Sequence, residues 1–165
     1  KGTNRTEFMR GEVSKYSWVD VGSSFLPGEL TAAFLWAQLQ EGHLITKKRK
    51  EIWNFYHAAF QDLEKMDKAQ RPSIPEYSLH NGHIYYLLLN SNDERNNFIE
   101  SMCLKKVNCV FHYIPLHSSI IGKKIGRFSG DMTVTEDIAE RLVRLPIWLG
   151  IDSAHVSQCV NECLL

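Results

Sequence analysis

"NGHIYYLLLNSNDERNNFIESMCL", residues 81–104, decides the fold. The run His83–Asn90 is too short for an ordinary helix and is opened by an Asn-Gly turn, so it predicts a buried strand. Directly behind it, Ser91 and Glu94 stand three apart as a capping box, in which the serine hydroxyl and the glutamate carboxylate satisfy the free amides of a first helical turn. The helix they open runs through Phe98, Met102 and Leu104. A strand followed at once by a capped helix points to a mixed sheet-and-helix domain.

Downstream, "NCVFHYIP" (108–115) predicts a second strand stopped by Pro115. A glycine-containing basic loop, "SSIIGKKIGRFSGD" (118–131), follows it. Thr133 and Glu136 form a second capping box, for a helix through Ile138 and Leu142 that ends before Pro146. "LPIWLG" (145–150) predicts a short third strand, and Asp152 or Ser153 caps a last helix through Val156, Val160 and Leu164.

Upstream, Pro27 and Gly28 precede Glu29, and Leu30, Ala33, Phe34, Ala37 and Leu39 keep helical spacing until Gly42. A second helical pattern carries Ile45, Ile52, Phe55, Tyr56, Ala59, Leu63 and Met66 and ends before Pro72. The expected class is therefore α+β: long helices followed by a small sheet with helices packed on it. The expected divisions are an extended segment over 1–25, a long helical segment over 26–71 and a small α+β domain over 72–165. The chain opens on the polar stretch "KGTNRTEFMRG" without an initiator methionine, which reads as the continuation of a longer protein.

Composition limits the function classes. Nineteen basic and nineteen acidic side chains cancel, so no overall field favours nucleic acid or an anionic membrane. Apolar stretches fall far short of the roughly 20 residues a membrane span needs. Cys103, Cys109, Cys159 and Cys163 form no CxxC pair and no metal-type spacing with histidine, which suits reduced thiols in a cytoplasmic protein. Cys159 and Cys163 would share one helix face, by packing rather than by metal binding.

Phosphate-loop, GxGxxG, nucleophile-elbow and HExxH patterns are absent. The basic run Lys47–Lys50 reads either as a solvated helix face or as a phosphate contact. His112 and His117 flank Pro115, where a strand exit lets both reach a cleft, although His112 reads equally as a structural histidine.

Four stretches, in order and at matching distances, carry a resemblance: "WVDVGSSFLPGELTAAFLWAQL", "PSIPEYSLHNGHIYYLLL", "VFHYIPLHSS" and "RLVRLPIWLGI". They resemble the C-terminal part of the DegT/DnrJ/StrS family of pyridoxal-phosphate-dependent nucleotide-sugar aminotransferases, and within it the branch that forms dTDP-4-amino-4,6-dideoxygalactose. The resemblance implies an aspartate-aminotransferase-type fold, a homodimer, pyridoxal 5'-phosphate as cofactor, and amino transfer from L-glutamate to a dTDP-4-keto-6-deoxy sugar. It also implies a place in cell-envelope polysaccharide synthesis, such as lipopolysaccharide or enterobacterial common antigen.

The same resemblance assigns residues. Ser24 occupies the place of the family asparagine that reaches the cofactor phosphate of the other subunit, and a hydroxyl can donate one hydrogen bond there. Leu26 stands where the family has arginine and Glu29 where it has aspartate, so no charged contact is implied at Leu26. His112, Tyr113 and His117 border the family's sugar-binding cleft and are the implied substrate contacts. The Schiff-base lysine and its acidic partner lie upstream in the family, and no lysine here has that lysine's context. The expectation is a domain fragment without catalytic residues of its own and without a metal. A non-catalytic interaction domain, or an aminotransferase for another nucleotide keto-sugar, stays open as an alternative.

Overall fold

In a computed structural model of the chain, the described residues are 3–14, 17, 19–22 and 25–165. They divide into two compact units, residues 1–41 and 42–165.

In the first unit, Asn4 closes a loop on Ser17: its side-chain oxygen accepts the Ser17 amide at 2.8 Å and its own amide donates to the Ser17 carbonyl at 3.3 Å. Helix α1 (Arg5–Met9) starts at that clamp, so the segment expected to be extended is locally helical. Helix α2 (Glu29–Gln40) begins after Gly28, as the Pro27–Gly28 pair predicts. It buries no residue, and Leu30, Phe34, Leu35, Trp36 and Leu39 are all exposed.

The second unit carries the sheet. Helices α3 (Gly42–Ala59) and α4 (Gln61–Lys65) are followed by β1 (Tyr85–Leu88), α5 (Asn92–Leu104), β2 (Val110–Phe111) and a 3-10 turn at Leu116–Ser118. Then come α6 (Gly122–Ile125), α7 (Thr133–Arg141), β3 (Leu142–Leu145) and α8 (Ser153–Leu164). The sheet order is β1-β3-β2, antiparallel throughout, with Tyr85 opposite Leu145, Leu88 opposite Leu142 and Val110 opposite Arg144.

The α+β expectation holds, but its internal boundary moves. Helix α3 belongs with the sheet rather than with a separate helical segment, because Trp53 and Tyr56 pack into one core with Phe60, Leu63, Tyr85, Leu87 and Val143. The third strand is Leu142–Leu145, not residues 145–150: α7 ends at Arg141 and the chain turns extended at once, so Val143 and Leu145 alternate into the core. The second capping box is corrected as well. Thr133 donates its amide to Asp131 at 2.9 Å, and Glu136 turns to His117, leaving α7 without a side-chain cap. The Ser91 cap is as expected, its hydroxyl accepting the Glu94 amide at 3.1 Å, and Asp152 caps α8 through the His155 amide at 2.9 Å.

Gly82 explains how the loop before β1 lies against α3. Its φ is +66°, and a Cβ there would sit 3.0 Å from backbone atoms of Arg49 and Lys50, so only glycine fits. The Lys47–Lys50 run is thereby divided between packing and solvent: Arg49 and Lys50 are half-buried, Lys47 and Lys48 exposed.

Arg71 ties α4 to α3. Its Nε and Nη2 donate to Glu64 Oε2 at 2.9 and 2.6 Å, its amide donates to Glu64 Oε1 at 3.0 Å, and Nη1 donates to the His57 carbonyl. The Arg71 amide, then its guanidinium, hold the Glu64 carboxyl below the ordinary 4.5. A carboxyl depressed in the folded state stabilises it above the unfolded value, and that contribution is lost as pH falls through the folded value. The stability gap between wild type and Glu64→Gln, on the order of 1 kcal/mol once solvent screening is allowed for, should therefore stay constant above about pH 5 and close below about pH 4. Urea titrations across that range check it. A gap that is flat down to pH 3 would refute the pairing.

Candidate functional site

The second strand is only Val110–Phe111, not residues 108–115 stopped by Pro115: β2 ends four residues before the proline, and the chain leaves the sheet as His112-Tyr113-Ile114-Pro115 beside α5 and α7. Between these three elements lies a cavity of about 560 Å³, lined by Asn92 and Arg95 of α5, by residues 111–115, and by Glu136 and Glu140 of α7.

Two arginines face the aromatic rings of this segment. The Arg95 guanidinium sits 5.5 Å over the Phe111 ring, and that of Arg144, from β3, lies 5.6 Å over Tyr113. Arg144 Nη2 also approaches the Phe111 carbonyl at 3.4 Å. Stacking of this kind fixes a guanidinium plane without consuming its N–H donors. His112 lies between, its ring 5.1 Å from that of Tyr113. Burial, and then the charge of Arg144, lower its pKa, so His112 is a neutral imidazole near pH 7.

The structure separates the histidines that the sequence grouped. His112 and Tyr113 line the 560 Å³ cavity, and His112 also lines a second cavity of about 540 Å³ with His80 and Tyr86. His117 lines neither. Its Nε2 lies 3.0 Å from Glu136 Oε1, its ring packs 5.2 Å from Phe128, and it borders a different hollow with Lys123 and Arg127. His117 thus bears on the first cavity only through Glu136, by fixing where that carboxylate stands. Ser24 lies outside the described residues.

Arg95 is the residue the sequence reading missed. It is buried, and it stands at i, i+3, i+7 with Phe98 and Met102, so it occupies the apolar stripe of α5. An arginine at a stripe position was the available signal; it was hidden in the polar run "NDERNN".

The cofactor that the resemblance implies needs a lysine in an enclosed site with an acidic partner for the pyridinium. The described residues do not fit it by themselves: none of their lysines is buried, Lys50 and Lys105 are half-buried, and Lys105 is bonded to Glu162 at 2.6 Å. Among the described residues there is no group of three metal-ligating side chains, and no helix long and apolar enough to cross a membrane. The cysteines are free; Cys163 contacts the Met102 sulfur at 3.8 Å, so this helix face packs on α5.

Comparison with known proteins adds the following. The model of the DegT/DnrJ/EryC1/StrS aminotransferase family matches residues 2–164. Protein MJ1066 of Methanocaldococcus jannaschii is 29% identical over 150 residues, covering 88% of this chain and 38% of its own. The sugar aminotransferase CalS13 from Micromonospora echinospora superposes with a TM-score of 0.77 at 14% identity, over 98% of this chain and 42% of its own. A DegT DnrJ EryC1 StrS aminotransferase from Brucella abortus gives 0.75 at 19% identity, over 96% of this chain and 41% of its own. The chain spans about two-fifths of the length of these proteins, and the two solved structures share its fold.

Proposed function

The chain belongs to the DegT/DnrJ/EryC1/StrS aminotransferase family, and from that premise we propose that it is the C-terminal portion of a pyridoxal-phosphate-dependent sugar-nucleotide aminotransferase. The reaction proposed for the whole enzyme is amino transfer from L-glutamate to a dTDP-4-keto-6-deoxy sugar, of the dTDP-4-amino-4,6-dideoxygalactose transaminase type, serving cell-envelope polysaccharide synthesis.

The observation that carries this reading is the cavity beside Phe111–Pro115, where a neutral His112 and an exposed Tyr113 stand with an arginine and two asparagines of α5. Such a lining offers hydrogen-bond donors to sugar hydroxyls and phosphate oxygens, and an apolar wall to exclude water. In this proposal His112 and Tyr113 touch the sugar nucleotide. His117 holds Glu136 in place at the same wall, and Ser24 donates to the cofactor phosphate across a homodimer. The exposed apolar side chains of α2 support the last point, since Leu30, Phe34, Leu35, Trp36 and Leu39 lie open around the helix and mark it as a surface that associates. The cofactor, when bound, supplies the electron sink for amino transfer; the part of this chain is to hold and orient the substrate.

The test is an assay of the protein encoded by the full reading frame, with dTDP-4-keto-6-deoxyglucose and L-glutamate, identifying the amino sugar formed. A 4-amino product supports the reading. No product, or a reading frame without a lysine-bearing cofactor domain, overturns it.

A further inference from the structure

Buried arginines are normally paired, because an unpaired guanidinium loses its hydration without compensation. Arg95 is 9% exposed, its side chain enters no ion pair or hydrogen bond among the described residues, and its buried Nε is without a partner. Among the described residues the guanidinium lies over the Phe111 ring, which orients it but leaves its donors free.

The shortage at this wall is one of acceptors. Arg144 Nε–H is also buried and without a partner, and so is His112 Nδ1, which donates in one tautomer of the neutral ring, so three unpartnered nitrogens surround the segment 111–113. Of the two carboxylates lining the cavity, Glu136 is taken by His117, and Glu140 is exposed to solvent. Buried donors in native proteins are almost always satisfied, by protein, water or ligand. A set of donors that lacks acceptors, with a fixed guanidinium fork at its centre, matches an oxygen-rich anion.

We propose that Arg95, with His112 beside it, forms the anion subsite of this cavity and takes the diphosphate of a nucleotide-linked substrate. The identity of the anion as a diphosphate rests on the function proposed above; the subsite itself rests on the unpaired donors. The planar fork binds two phosphate oxygens at once, and His112, in the tautomer that carries its proton on Nδ1, donates that N–H to a third.

The experiment is a titration of the 165-residue chain, labelled with nitrogen-15 in its arginines, with inorganic pyrophosphate, with dTDP, and with L-glutamate as a carboxylate control. The Arg95 Nε–Hε resonance should shift saturably with pyrophosphate and with dTDP, and the shift should weaken with added salt. Arg95→Gln should bind both at least tenfold more weakly, while Arg95→Lys keeps part of the affinity. Because the resonance is read in the wild-type chain, the result stands even if a variant misfolds. No shift at saturating dTDP, or a shift with L-glutamate alone, overturns the subsite. Amino transfer by the longer protein with an unresponsive Arg95 would sink this inference and leave the proposed function standing. A responsive Arg95 without amino transfer would do the reverse.

Discussion

Tyr56→Ala is expected to lower the unfolding free energy of the sheet-bearing unit by about 3–5 kcal/mol, the range for truncating an aromatic ring in a core. Tyr56 has no exposed surface; its ring stacks on Phe60 at 5.7 Å and meets Tyr85 edge-on at 5.4 Å. Its hydroxyl donates to the Pro146 carbonyl at 3.0 Å, so one side chain joins α3 to the chain just past β3. Burial pushes the phenol pKa far up, and the hydroxyl therefore keeps its proton across the accessible pH range. Tyr56→Phe keeps the ring and loses only that bond, for which about 1 kcal/mol is expected. A domain of this size commonly has only about 5–15 kcal/mol in total, so the alanine variant should unfold at far lower urea concentration and the phenylalanine variant only slightly lower. Equal losses for the two variants would show that the hydroxyl, not the ring, is what the core depends on.

Amino transfer by this chain alone is expected to be undetectable, and pyridoxal phosphate followed by borohydride is expected to spread label thinly over several lysines. The described lysines are exposed or half-buried, and Lys48, Lys65 and Lys105 are already paired with Glu51, Asp62 and Glu162. None stands in an enclosed pocket that would favour a neutral amine and exclude water. Mass spectrometry of the reduced, digested chain counts the labelled positions. Stoichiometric label at one lysine, together with glutamate-dependent amino transfer, would place a complete active site in these residues.

What could be read from the sequence was local. The Ser91 cap and the helix it opens depend on residues three apart, and the same holds for Asp152 and α8. The third strand was misplaced because Ile138, Leu142 and Leu145 keep helical spacing straight through β3, so the pattern of α7 extends over a segment that is not helical. What makes Leu142–Leu145 a strand is pairing with Tyr85–Leu88 on one side and Val110–Phe111 on the other, and those partners lie tens of residues away. At the candidate site, the place of His112 beside a strand exit pointed to the cavity it lines, whereas Tyr113 was singled out only by the family resemblance. Arg95 was not, because its burial follows from the approach of β2 to α5, and His117 was grouped with His112 because sequence distance does not show which carboxylate a histidine faces.

The strand order has a consequence for synthesis on the ribosome. The middle strand of the sheet is the last of the three to be made, and β1 and β2 are not neighbours. A nascent chain that has emerged only as far as α7 holds two strands with nothing between them; β1 has the single bridge of Leu88 to Gln70, and Val110–Phe111 has no strand to pair with. Tyr56 likewise waits 90 residues for its carbonyl. Sheet closure is therefore a late, nearly all-or-none event that requires Leu142–Leu145 to be clear of the exit tunnel. Until then the backbone edge of β1 that pairs with Leu142–Leu145 is open to chaperones, and to other unfinished copies on the same message.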